Sequence, residues 1–481
     1  MNVQANVLSQ PVTTVATGDP RRWLALPVLL IGAFLPVLDF NVVNLALPAI
    51  RENLKASDGE LQFVISAYAA TYAVFLITGG RLGDLFGRRR MFLRGVAGFT
   101  LASILCGTSW SPGVLIAGRI MQALTATAMA PQVLASIRVL FPPAEQAKAL
   151  GFYGATFGLA NIAGQILGGV LVSAHPFGFT WQAIFLINVP IGLVAFLGAL
   201  IFLQDSKAQH AQRLDLGGVI LLSATLIFLV YPLVSGRGAG WPTWTFILLA
   251  LSPPMFLAFV SFERRLSHRG GSPLVEFSLF GAPGFATGVA MALVYYMLSA
   301  FYLTFSVYLQ SGAGLSPLSA GLRTLPFGIG YFAASFAAPG LMRRLGPRAL
   351  TLGFAVQVVG FGAAAFAVGE GRGLSVLLEC ALMIAGIGFG IVMPSVIGAV
   401  IGGVEPRHAG LASGLIISTF QVGAALGVAI VGGVFFTALG TARGLVDYAH
   451  AFSIALGCNV ALLALGGILS LWLPQPRPSK R

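Results

Sequence analysis

Four charged side chains, Asp39, Arg119, Arg323 and Glu379, stand inside or at the edge of long apolar runs. Holding a charge at membrane depth costs roughly 2.5 to 3.5 kcal/mol on insertion scales, so each is a candidate for handling ions or substrate. Asp39 lies nine residues before Pro48, which ends its run. With a helical rise of ~1.5 Å per residue, Asp39 sits ~14 Å and Arg119 ~9 Å below the same surface, so the two are placed to share a layer. A facing arginine favours an ionised carboxylate and dry surroundings favour a neutral one, so a conformational change can load or release a proton at Asp39. A static ion pair joining two helices fits the same residues. Glu379 either takes part in proton coupling or snorkels to the surface beside Arg372. Arg323 is shallow and expected at the interface. Glu263 and Glu276 fall in a connecting segment, where they are expected to be solvated and without chemistry.

The segment Gly80-Arg81-Leu82-Gly83-Asp84-Leu85-Phe86-Gly87-Arg88-Arg89-Arg90 is the most specific local pattern. It reads as a tight cytoplasmic loop: glycine permits positive φ and close helix approach, and Asp84 is placed to cap a helix or pair with the neighbouring arginines. Such a charge-linked latch can favour one of two helix-bundle arrangements. Plain loop charge would account for the arginines, though not for Asp84 or the glycine spacing.

The elements that must position these residues are membrane helices. Hydrophobic residues make up 57% of the chain, charged residues only 9%, and the mean hydropathy is +0.88, against roughly 25% charged in a soluble domain. Spans need about 20 apolar residues, and the apolar runs yield about fourteen, from 23–48 to 449–473. The run from Trp23 is too long for a signal h-region and is expected to be retained. The 61 glycines suit close helix packing in lipid. The three cysteines lie in apolar stretches and are assigned to packing, and the five histidines fall at or near expected loops, so no metal centre is expected. With both termini inside, about 21 Lys/Arg are cytoplasmic against about five outside. That asymmetry explains the net charge of +13 without nucleic acid.

Gly87, Gly151, Gly164 and Gly168 recur 259 residues later as Gly346, Gly410, Gly423 and Gly427. The offset predicts two parallel six-helix repeats, at 23–203 and 271–473, with two inserted helices and their linkers at 204–270. Cytoplasmic tails are expected at 1–22 and 474–481.

On these residues the chain resembles the major facilitator superfamily, and within it the fourteen-helix drug:proton antiporters, a branch of multidrug efflux transporters. Residues Gly80 to Arg89 match that superfamily's G-x-L-x-D-x-x-G-R-[KR] motif. Leu38 to Pro48 looks like the first-helix motif of this branch, with Asn41 where threonine is usual. Arg119-Ile120-Met121-Gln122-Ala123 is similar to the fourth-helix R-x-x-Q-G motif, and Trp181 to Gly192 fits the sixth helix. The fifth-helix run Gly154, Gly158, Gly164, Gln165, Gly168, Gly169 resembles the antiporter motif but has Gln165 at the usual proline. A helix without that proline is expected to bend less. Gln165 then either offers a polar group to substrate or bonds between helices.

The resemblance implies an all-α polytopic facilitator fold in a bacterial inner membrane, working by alternating access around a midplane site. It makes Asp39, Arg119 and Glu379 proton-coupling residues. Gly80, Asp84, Gly87, Arg88 and Arg89 form the latch, and the fifth-helix glycines form the interface between bundles. Asn41, Gln122, Tyr68 and Tyr295, with Tyr72, Tyr296 and Tyr302, are candidates for the substrate cavity, core or lipid-facing packing being the more usual role for most of these tyrosines. The expected partners are a small molecule, protons and the bilayer, with no cofactor beyond a proton gradient, and the expected state is a monomer. Efflux of amphipathic or cationic compounds is the implied task. Proton-coupled transport of one endogenous metabolite, siderophore or lipid, by uptake or by export, is the alternative. No catalytic constellation or channel filter is present in the sequence.

Overall fold

The computed structural model describes residues 22–204, 206, 214–371, 374–402, 409–441 and 444–473. The expected tails, apart from Arg22 itself, and Arg372 lie outside them. Among the described residues, fourteen helices are long and apolar enough to cross a membrane: α1 (Arg22–Leu54), α2 (Asp58–Phe86), α3 (Arg88–Gly107), α4 (Pro112–Leu140), α5 (Pro143–Ala174), α6 (Ala183–Phe202), α7 (Leu216–Gly238), α8 (Thr243–His268), α9 (Phe285–Gly312), α10 (Pro317–Leu345), α11 (Arg348–Gly369), α12 (Val376–Gly402), α13 (Ala409–Leu439) and α14 (Leu445–Leu471). Helices satisfy their backbone groups internally, the condition lipid imposes on any spanning segment. Polar caps mark several starts. Ser57 and Glu60 form a capping box on α2, and Ser111 and Ser316 cap α4 and α10 ahead of Pro112 and Pro317.

The 80–90 segment is not the loop expected from its glycines. Residues 80–86 complete α2, and Arg88 already begins α3. Gly87 alone breaks the path, at φ 98, a left-handed conformation that a side chain would strain. Gly346, its counterpart 259 residues on, breaks α10 from α11 at φ 58. Helical propensity penalties are small beside the backbone hydrogen bonds a membrane-edge helix retains, so the glycines at 80 and 83 stay helical.

The same repeat appears in packing. Gly164 and Gly168 of α5 face the Leu38 and Val42 carbonyls of α1, while Gly423 and Gly427 of α13 face the Leu293 and Met297 carbonyls of α9. A Cβ at Gly427 would lie 2.1 Å from the Met297 oxygen. Residues Met297–Ser299 form a 3-10 turn and Tyr308–Gly312 a π turn within α9. Breaks of this kind inside helices commonly mark hinges and functional sites.

The first and last six helices meet where α2 packs on α13, α5 on α10 and α1 on α9. The inserted α7 lies on both α2 and α13, covering that seam, and α8 packs on α7.

Candidate functional site

Asp39 of α1 and Arg119 of α4 meet as a salt bridge, and their side chains are wholly buried. Both ions of a buried pair have lost water, so the bonds that meet their remaining hydrogen-bonding capacity decide its cost; most of that capacity is met here, with Arg119 Nη2 left without a hydrogen-bond partner among the described residues. Here Arg119 also donates to the Gln122 Oε1 at 2.8 Å and to the Val64 carbonyl at 3.1 Å. The second Asp39 oxygen accepts from Gln122 Nε2 at 3.0 Å and from Asn188 Nδ2 at 2.9 Å. Both amides also reach Ser103 Oγ, at 2.8 and 3.3 Å. The carboxylate of α1 is therefore held directly from α4 and α6, and Ser103 of α3 braces both amides.

Asn188 and Ser103 were not singled out as site residues in the sequence. Asn188 is polar at the start of an apolar helix, a signal that was available; Ser103 gives none. Gln122 belongs to this network and does not line the central cavity, contrary to expectation. A helix puts residues three apart on one face, so Gln122 follows Arg119 rather than pointing across the bundle.

A chamber of about 1190 Å³ lies between the two halves. Asn41, Tyr68 and Tyr295 line it, as do Tyr72, Tyr296 and Tyr302. Asp39 and Arg119 are set behind its wall. Tyr68 stands between: its ring lies 4.1 Å from the Arg119 guanidinium carbon and the residue also lines the chamber. The Asn161 amide, which was not anticipated, donates to Asn41 Oδ1 at 3.3 Å and to the Tyr302 hydroxyl at 3.2 Å, joining α5, α1 and α9 across the chamber.

The lining reaches Asp84, Arg88 and Arg138 at one end. The opposite end is crossed by contacts between the halves. Gln310 donates to the Leu45 carbonyl at 2.9 Å, and the Leu318 amide donates to Ser173 Oγ at 3.0 Å. Gly169 packs on the Pro317–Leu318 backbone, and Gly321 packs on the Gln165 carbonyl. Among the described residues the chamber is thus open at the arginine-rich end and crossed by contacts at the other.

At the open end Arg88 bonds Asp84 at 3.1 Å, the pair expected of the latch. Arg89 donates to the Ala199 and Leu200 carbonyls at the end of α6, a partner the dipole of a helix C-terminus favours. Arg81, not counted among the latch residues, is buried and donates to the Ser272 and Pro273 carbonyls. Glu263 is also buried, at 0% exposure, and so is not solvated as expected. It accepts from the Val275 amide at 2.8 Å. Asp215 accepts from Gly218 in the first turn of α7 and from the Leu274 amide. Three charged side chains thereby clamp the 272–275 strap leading into the last six helices. Glu276 is engaged too, accepting from Ser267 at 3.1 Å.

Glu379 pairs with Arg323 at 3.0 Å, and both side chains are partly exposed. The structure does not bring it to Asp39 or the chamber. Gly158 lies against the Phe332 ring of α10. Gly154 lies in α5, outside the residues whose surroundings are described. Gln165 is buried, its Nε2 has no hydrogen-bond partner, and it does not line the chamber.

A bundle of membrane helices with a chamber between its halves has the architecture of a membrane transporter. The chain belongs to the major facilitator superfamily, whose family model matches residues 29–428. It is 37% identical over 433 residues to a probable actinorhodin transporter of Streptomyces coelicolor, covering 89% of this chain and 75% of that one. It is 34% identical to the tetracenomycin C resistance and export protein of Streptomyces glaucescens, over 86% and 76% of the two chains. In fold it is similar to a bacterial homologue of the human lysosomal transporter Spinster, crystallised inward-facing and unoccupied. The TM-score is 0.67 at 16% identity, covering 96% of this chain and all of that one.

Proposed function

We propose that this transporter exports small amphipathic compounds in exchange for protons, with Asp39 as the proton-binding carboxylate and no cofactor beyond the proton gradient. The observation that carries this reading is the Asp39–Arg119 pair, charged, buried and touching an aromatic ring that lines the chamber. Protonating Asp39 removes one half of an ion pair that the surrounding amides were arranged to hold, and an unpaired buried charge is costly. Arg119 must then find other partners or α1 and α4 must shift. Because α1 contacts α5 and α9, that shift reaches the seam between the bundles at 23–203 and 271–473.

The positive-inside rule places the open, arginine-rich end in the cytoplasm. Export agrees with the role of the tetracenomycin C resistance and export protein, to which the chain is 34% identical. The test uses inverted vesicles with an acid interior and a toxic compound against which the protein protects growing cells. Accumulation of the compound inside, accompanied by rise of the interior pH, is expected. Accumulation instead by right-side-out vesicles with an acid exterior would replace export with uptake.

A further inference from the structure

Two buried acids stand where the inserted helices join the last six. Asp215 caps α7: its Oδ1 accepts from the Gly218 amide at 2.8 Å and its Oδ2 from the Leu274 amide at 3.0 Å. Each oxygen thus faces an N–H, the setting of an ionised carboxylate. Glu263 of α8 differs. Its Oε2 accepts from the Val275 amide at 2.8 Å, whereas its Oε1 is buried and met by no donor among the described residues. A buried polar atom without a partner calls for a physical cause.

Its neighbour supplies one. A Cβ on Gly218 would collide with Glu263 Oε1 and Asp215 Oδ2 together, so the two oxygens converge on the space that the glycine leaves open. The two side chains are within hydrogen-bonding reach. Ionised oxygens so placed, out of water, repel each other, and two carboxyl groups sharing such a site hold one proton between them. The surrounding bonds say which oxygen carries it. Asp215 already takes two N–H bonds and Glu263 Oε1 takes none, so a proton on Glu263 Oε1 donating to Asp215 Oδ2 leaves all four oxygens bonded.

From α2, Arg81 is the charged group that bears on both acids. It donates to the Ser272 and Pro273 carbonyls, directly before the two amides that the acids hold. With one shared proton, Arg81 faces a single negative charge and the cluster is neutral. Glu276 turns to Ser267, and Arg264, Arg265 and His268 lie on the exposed sides of the α8 end.

We propose that Asp215 and Glu263 share one proton and form a second proton-binding site, distinct from Asp39, whose occupancy closes the clamp on the 272–275 strap. With the proton bound, four consecutive residues are held through their backbone, two carbonyls by Arg81 and two amides by the acids. When the proton leaves to water at the open end of the chamber, which Arg81 also lines, two carboxylates face each other beside one arginine. Their repulsion, large where the dielectric is low, parts Glu263 from Asp215 and frees the Val275 amide. The clamp is therefore closed at low pH and loosens as pH rises. Because the strap leads from α8 into the last six helices, one proton ties α2, the inserted pair and the second bundle together.

Two measurements on the purified full chain in detergent test this, and neither uses substrate, a gradient or Asp39. The first is the infrared carbonyl stretch of protonated carboxyl groups at neutral pH. Glu263→Gln is expected to remove the intensity of one such group, and Glu276→Gln to remove none. An unchanged band in Glu263→Gln overturns the shared proton. The second is cleavage of the strap by a broad-specificity protease, read at each pH as the rate for the unaltered protein over that for Glu263→Gln, which cancels the pH dependence of the protease itself. The glutamine amide donates to Asp215 at every pH, so this ratio is expected near one at about pH 6 and to reach at least about fivefold by about pH 10. A ratio that stays constant with pH overturns the clamp. Failure of either measurement leaves the export reading standing, because that reading rests on Asp39.

Discussion

Tyr68 places its ring 4.1 Å from the Arg119 guanidinium carbon and is itself part of the chamber wall, so this side chain touches both the ion pair and the chamber. Its hydroxyl adds little, standing 3.5 Å from the Pro36 carbonyl. Tyr68→Phe should therefore keep proton-driven transport near that of the parent protein. Tyr68→Ala should open a water path to Asp39 and let protons leak without substrate, read as pH collapse in empty proteoliposomes. A tight Tyr68→Ala protein would remove the ring from the account.

Gly427 lets α13 approach the α9 break so closely that a Cβ would stand 2.1 Å from the Met297 oxygen. Gly427→Ala should destabilise the fold by about 1–3 kcal/mol, the usual cost of overpacking. Gly433, on the same helix, has nothing within 4 Å of its Cβ position, so Gly433→Ala serves as the control and should melt with the parent protein. Equal melting of both variants would refute the packing argument.

Glu263 is wholly buried and holds the Val275 amide. Glu263→Ala leaves that N–H unmet and should cost about 1–3 kcal/mol of stability, with the 272–275 strap becoming open to protease. Glu263→Gln keeps an acceptor and should restore strap protection. A strap equally protected in the alanine variant would mean the clamp is dispensable.

Gln165 stands where the antiporter branch usually has proline, and it is buried with Nε2 unpartnered. Replacing it by leucine removes a desolvated donor while keeping volume, so Gln165→Leu should melt at or above the parent temperature and still transport. A clear fall in melting temperature would show the amide to be bonded.

The sequence made the fourteen spans readable because lipid demands long apolar runs and punishes charge within them. The Asp39–Arg119 pairing was readable for the same reason: few charges lay deep, and two shared a depth. What stayed hidden depends on helical rotation and on backbone partners. Gln122 turned to Asp39 rather than the chamber because a span apolar on all sides carries no mark of its inward face. Glu263 looked solvated because its partners are backbone amides of a strap, which hydropathy does not register. Asn161 lies among glycines and apolar residues, and its place opposite Asn41 exists only once α5 has packed on α1.

Asp39 as the proton carrier is the central claim, and Asp39→Asn in proteoliposomes tests it most directly. The amide matches the carboxylate in size and can still accept from Gln122 and Asn188, so substrate exchange at equal pH on both sides serves as the check that the protein is folded and binds. The account predicts that this exchange persists while accumulation driven by an imposed pH gradient disappears. Undiminished gradient-driven accumulation by Asp39→Asn would contradict it.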